Sequence, residues 1–246
     1  MCRHLAWIGV SRRVSDLVLD PPHSLLHQSY APADMRGGGT VNADGFGAGW
    51  YGGGAPVRYR SARPIWSDAG FASVAEGASC TALLAAVRSA TTGMPVTETA
   101  AAPFAAGRWL FSHNGVVRGW PESVADIAAR LPVRDLLTLD APTDAALLWA
   151  LVRHRLRAGE EPGAVLAETV VEVAAAAPGS RLNLLLTDGT AIWATAWDHA
   201  LSVRVSDTEV TVASEPTDTD EAWRPVPEAH LVTAAPGAST LTPLHP

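Results

Sequence analysis

The chain has 246 residues, with 18 basic and 25 acidic side chains and a net charge of -7, and every basic residue is an arginine. Without lysine there is no Schiff-base chemistry, no Ser-Lys nucleophile pair and no P-loop, since each needs a lysine amine. The acidic balance and the scattered arginines argue against a nucleic-acid or anionic-membrane partner, which would require clustered basic residues.

His4 to Val10 reads as an apolar strand that starts almost at the first residue. Ala48 to Tyr51 and Val57 to Arg60 flank a Gly52-Gly53-Gly54 turn, and Ala82 to Val87 is a continuous apolar run. Arg108 to Ser112 leads into Asn114-Gly115, which on its own reads as a hairpin turn. A short helix is expected from Pro121. Two longer helices are expected at Asp144 to Arg157, with Thr143 as N-cap and Gly159 as stop, and at Gly163 to Ala177. Leu182 to Thr187, Ala191 to Trp197, Leu201 to Val205 and Val210 to Ala213 then read as hairpin strands around an Asp188-Gly189 turn. This order predicts an α+β fold in which two antiparallel sheets pack together with helices outside them. We expect a single domain over 1–246. Its tail from about Glu215 is less regular, with limited order over Thr240 to Pro246.

No stretch approaches the ~20 apolar residues of a membrane span, and Arg3, Arg12, Arg13 and Asp16 interrupt any signal-peptide core. A cytoplasmic location is expected, with Cys2 and Cys80 as free thiols.

Cys2 follows the initiator methionine, and so small a side chain permits removal of Met1. The freed α-amine, with an ordinary pKa of roughly 7.7 to 8.0, could then serve as base for its own thiol. Asn114 and Gly115 offer a side-chain amide and a backbone N–H for an oxyanion. Arg88, at a strand end, could clamp a carboxylate, and Asp144, in the first turn of a helix, could face an ammonium. Cys2, His4, His23 and His27 carry the ligand types of a zinc site, but the two later histidines lack knuckle spacing.

Cys2, the segments Asn42-Ala43-Asp44-Gly45-Phe46-Gly47, Val87-Arg88-Ser89-Ala90-Thr91, Ser112-His113-Asn114-Gly115 and Thr143-Asp144 together resemble the class II glutamine amidotransferases in order and spacing. The resemblance covers nearly the whole chain. It implies an N-terminal-nucleophile (Ntn) hydrolase with a four-layer αββα sandwich. It also implies that Cys2 is the nucleophile, Asn114 and Gly115 the oxyanion hole, Arg88 the α-carboxylate clamp and Asp144 the ammonium partner. Thr91 and His113 would line the glutamyl pocket or support its loop. Met1 to Trp7, Leu17 to Pro22, Gln28 to Pro32 and Ala213-Ser214-Glu215-Pro216 are similar to the γ-glutamyl amidohydrolases of ergothioneine biosynthesis. Their leaving group carries a quaternary trimethylammonium, for which Trp50 and Tyr51 are the candidate aromatic faces.

The resemblance implies a stand-alone enzyme acting on a small γ-glutamyl substrate through a glutamyl thioester, with no metal or organic cofactor. Two alternatives are a glutaminase subunit feeding ammonia to a partner synthase and a non-catalytic binding protein on the same fold. Thr143-Asp144-Ala145-Ala146 and Arg88-Ser89 depart from many amidotransferases, which weakens the transfer of glutamine specificity.

Overall fold

Strands that are apolar at consecutive positions need cover on both faces, and the architecture supplies it. The computed structural model describes residues 2–34, 36 and 41–245. The first half contains β1 (Arg3–Arg13), α1 (Ser15–Val18), α2 (Leu25–Gln28), β2 (Phe46–Tyr51), β3 (Val57–Ser61), α3 (Ala69–Gly77), β4 (Ser79–Val87), β5 (Phe104–Ala106) and β6 (Trp109–Val116). Four helices follow: α4 (Ala125–Ala128), α5 (Val133–Leu137), α6 (Asp144–Arg157) and α7 (Pro162–Ala176). The chain then adds β7 (Arg181–Thr187), β8 (Ile192–Ala196), β9 (Ser202–Val205), β10 (Val210–Ala213), β11 (Arg224–Pro225), β12 (His230–Ala235) and β13 (Ala238–Pro243).

The strands form a seven-stranded sheet, β11-β9-β10-β1-β4-β2-β3, and a six-stranded sheet, β13-β12-β8-β7-β6-β5, and every pairing is antiparallel. Side-chain alternation sorts each strand's residues between two cores. Ala6, Ile8 and Leu84 face Leu110 and Leu185 between the sheets, while Leu5, Trp7, Leu83 and Ala85 pack toward α1 to α3. In the second sheet Leu182, Leu184 and Leu186 point away from the sheet interface and pack on α6 and α7. The result is the four-layer sandwich that the motif order implied.

Helix α6 starts and stops where its caps predict: the Thr143 hydroxyl accepts from the Ala146 N–H at 3.2 Å. Helix α7 begins one residue earlier than expected because Pro162 is its first residue, with the Glu161 carboxylate accepting from Gly163 and Ala164. Two expectations fail. Asn114-Gly115 is no turn but sits inside β6, paired with Asn183 and Leu182. The C-terminal tail is more regular than expected, since β12 adds to β8 through Leu231↔Thr195 and Thr233↔Trp193, and β13 extends the sheet. Met1 and Pro246 lie outside the described residues. No described helix is long and apolar enough to cross a membrane.

Candidate active site

The antiparallel register brings the start of β1, the start of β2 and the end of β4 together at one end of the first sheet's inner strands. Arg3 and Phe46 both pair with Val87, so Cys2 lies beside the loop that leaves β4. The Cys2 thiol is half-buried and lies 3.7 Å from the Ser89 carbonyl oxygen. Across the sheet interface, His4 Nδ1 lies 3.2 Å from Ser112 Oγ, which ties β1 to β6.

Cys2, Arg88, Thr91, His113, Gly115 and Asp144 line a single pocket. Arg88 donates to the Pro95 carbonyl at 2.9 Å, while its backbone N–H bonds the Gly45 carbonyl at 2.8 Å. Asp44 shapes the loop beside it: its carboxylate accepts from the Ala90 N–H at 2.8 Å and its own N–H donates to the Arg88 carbonyl. At the opposite wall the Asp144 carboxylate accepts from the N–H groups of Val117 at 3.0 Å and Ala145 at 2.8 Å. A carboxylate at that helix N-terminus is favoured by the helix dipole and keeps acceptor capacity for a cation. The pocket therefore sets a guanidinium and a carboxylate around a thiol, an arrangement that fits the two α-groups of a glutamyl substrate.

Gly115 is required by packing. A Cβ there would lie 1.9 Å from the Arg181 carbonyl oxygen and 2.8 Å from His113 Nε2. The His113 Nε2–H donates to that same carbonyl at 3.0 Å. Asn114 is fully buried and lies behind the pocket wall formed by its two neighbours. Its Nδ2 donates to Ser214 Oγ at 3.0 Å, and its Oδ1 has no partner among the described residues. Ser214 Oγ also accepts from the His4 N–H at 3.0 Å.

Trp50 and Tyr51 are not part of this pocket. Trp50 is buried between the first sheet and its helices. Tyr51 lies between the sheets, with its hydroxyl donating to the Arg108 and Thr187 carbonyls at 2.7 and 3.1 Å. Cys80 is buried, and burial pushes its thiol up to about 12, so it stays protonated at neutral pH. The four zinc-type residues do not converge: no group of three or more metal-ligating side chains is found among the described residues. His23 is engaged instead with Glu215, at 2.6 Å.

Residue-by-residue reading missed the groups that hold the N-terminus. The buried Arg3 guanidinium bonds Glu215 at 2.7 Å, the Cys2 carbonyl at 3.0 Å and the Asp34 carbonyl. Glu215 also accepts from the N–H groups of Ala33 and Asp34 at 2.8 and 3.2 Å. Its signal was present in the Ala213 to Pro216 segment, where the resemblance carried no role for it.

Residues 19–209 match the family model of class-II glutamine amidotransferases. A curated relative from Mycolicibacterium smegmatis, named γ-glutamyl-hercynylcysteine sulfoxide hydrolase, is 44% identical over 246 residues, covering 99% of this chain and 100% of the relative. Among solved structures, a glutamine aminotransferase class-II domain protein from Silicibacter pomeroyi aligns over 100% of both chains with a TM-score of 0.71 at 22% identity. The glutamine phosphoribosylpyrophosphate amidotransferase of Bacillus subtilis aligns with 99% of this chain and 49% of its own, with a TM-score of 0.67 at 12% identity. Those two likenesses concern the fold.

Proposed function

The chain belongs to the class II glutamine amidotransferases, and on that premise we propose that it hydrolyses the γ-glutamyl amide of γ-glutamyl-hercynylcysteine sulfoxide to glutamate and hercynylcysteine sulfoxide. The observation that carries this reading is the 44% identity to the curated hydrolase across the full length of both chains. The pocket is consistent with it, since Arg88 and Asp144 suit a glutamyl head and Cys2 lies between them and the Arg3 network.

In the mechanism we propose, removal of Met1 frees the Cys2 amine, which takes the thiol proton as Sγ attacks the γ-carbonyl carbon. The Gly115 N–H and the Asn114 amide hold the oxyanion. For Asn114 this requires its amide to turn about the terminal bond, so that Nδ2 replaces the unpartnered Oδ1 and the Ser214 hydroxyl donates to Oδ1. The protonated amine then gives its proton to the leaving nitrogen as the C–N bond breaks, leaving a glutamyl thioester. Water, deprotonated by the now neutral amine, adds to the thioester and releases glutamate and the free thiol. Thr91 and His113 shape the glutamyl pocket. A reducing compartment would keep the Cys2 thiol from oxidation, which suits a cytoplasmic location.

The test compares glutamate release from the sulfoxide conjugate and from glutamine. A clear preference for the conjugate is expected. A preference for glutamine would favour an ammonia-supplying glutaminase subunit instead, and no turnover of either, with ligand binding retained, would favour a binding protein.

A further inference from the structure

The proposed reaction leaves half of its substrate without a seat. The pocket at Cys2 has a cavity volume of about 40 Å³ and its charged groups suit the glutamyl head. The leaving amine carries a cysteine, a sulfoxide, an imidazole and a quaternary ammonium, because hercynyl is a trimethylated histidine. A second cavity has a volume of about 790 Å³, within the range that small-molecule sites occupy. Its wall includes Glu215, the partner of Arg3, and Ser214, the partner of Asn114. Each is one hydrogen bond from a group that contacts or adjoins the Cys2 site.

Two independent features of this cavity point to a ligand. The first is charge: Asp34, Glu215, Asp218 and Glu228 line it, and although Arg36, Arg3 and Arg204 pair with the first three, Glu228 has no ion-pair partner among the described residues, while Leu201 and Val226 give the cavity apolar surface. The second is His199, which also lines it and is 2% exposed. Its Nδ1 accepts from the Ala200 N–H at 2.8 Å, so the neutral ring carries its hydrogen on Nε2, and Nε2 has no partner among the described residues. Burial, reinforced by Arg3 and Arg181, lowers this histidine to about 4, which keeps it neutral at pH 7. A buried N–H without an acceptor is costly unless a ligand or water satisfies it.

We infer that this second cavity seats the hercynyl leaving group, with Glu228 facing the quaternary ammonium and the His199 Nε2–H donating to an oxygen of the ligand. The inference rests on the proposed hydrolysis and deepens it. A third cavity, of about 450 Å³, contains Trp120 and shares Thr91 and Met94 with the Cys2 pocket. It opens beside Val117, whose N–H holds Asp144, and therefore on the glutamyl side of the scissile bond.

The test uses calorimetry on the full chain with two probes, Nα-trimethylhistidine and imidazole propionate, which lacks the ammonium. Trimethylhistidine should bind, and imidazole propionate should bind about tenfold more weakly or not at all. The variant Glu228→Gln should lose on the order of tenfold in affinity for trimethylhistidine while its turnover of glutamine and its melting temperature stay unchanged. Equal binding of the two probes, no binding of either, or an unaffected Glu228→Gln variant would overturn the inference. So would loss of trimethylhistidine binding in Trp120→Leu alone. If the sulfoxide conjugate is still preferred over glutamine in any of those cases, only the location of the leaving group is wrong. If glutamine is preferred, the hydrolase reading itself falls.

Discussion

Arg3 and Glu215, 212 positions apart in the chain, form a buried ion pair at 2.7 Å directly behind Cys2. Burial by itself would raise the Glu215 carboxyl, but donation from His23, Ala33 and Asp34 and the charge of Arg3 outweigh it and hold the group below its ordinary value. The pair fixes where the chain begins, because the same guanidinium bonds the Cys2 carbonyl. Glu215→Ala strands a buried cation and should cost about 3–5 kcal/mol of stability in urea denaturation. The apolar double variant Arg3→Met/Glu215→Leu should recover most of that stability, since well-packed apolar replacements of buried ion pairs are often neutral. Its kcat should nevertheless remain low, because the Cys2 carbonyl has lost its donor. Full activity in the double variant would show that the pair serves folding alone.

Because every basic residue is arginine, removal of Met1 would leave the Cys2 α-amine as the one primary amine in the protein. An amine-selective acylating reagent should then label one site per chain and abolish turnover in proportion to labelling. Intact mass should show loss of the initiator methionine. A fully active preparation that retains Met1 would eliminate the amine as the catalytic base.

The proposed turn of the Asn114 amide makes its own prediction. Asn114→Ala should lower kcat on the order of 10²–10³-fold with little change in KM, the usual cost of losing one oxyanion donor. Ser214→Ala, which leaves the amide free to turn but without its anchor, should lower kcat far less. If both variants fall equally, Asn114 acts by holding Ser214 and β1 rather than by touching the oxyanion.

The long helices and strands were legible because their signals are local. Thr143 caps α6 through its own side chain, and alternating residues of β1 and β4 divide between two cores whatever lies elsewhere. Cys2, Arg88, Gly115 and Asp144, which the five motifs single out, line one pocket, while Asn114 lies behind its wall. What sequence reading got wrong depends on tertiary partners. Asn114-Gly115 has the chemistry of a turn, yet a glycine is needed in mid-strand because the Arg181 carbonyl occupies the place of a Cβ. The polar, proline-rich C-terminal segment shows no strand alternation strong enough to see alone, and it is ordered by β8 alongside it. Trp50, proposed as a cation-binding face from its composition and position, is held in the core by the register of β2 against β4.

Two buried histidines should make the fold sensitive to mild acid. Burial, with help from His199, His113 and Arg3, holds His4 well below the ordinary histidine range, and burial holds His199 at about 4. Both ordinary values lie near 6.5, so below that pH the unfolded chain takes up protons that the folded chain refuses. Stability is therefore complete above about pH 6.5 and falls as pH drops toward the folded values, by up to roughly 1.4 kcal/mol per pH unit for each histidine. Glu215, whose folded value is depressed, adds a further loss only at lower pH, below its unfolded value of about 4.3. Urea unfolding between pH 7.5 and pH 5 should show a falling midpoint at constant m-value, and His199→Phe should remove about half of the slope. A midpoint that stays flat across that interval would mean that both rings take up protons in the folded protein as readily as in the unfolded chain.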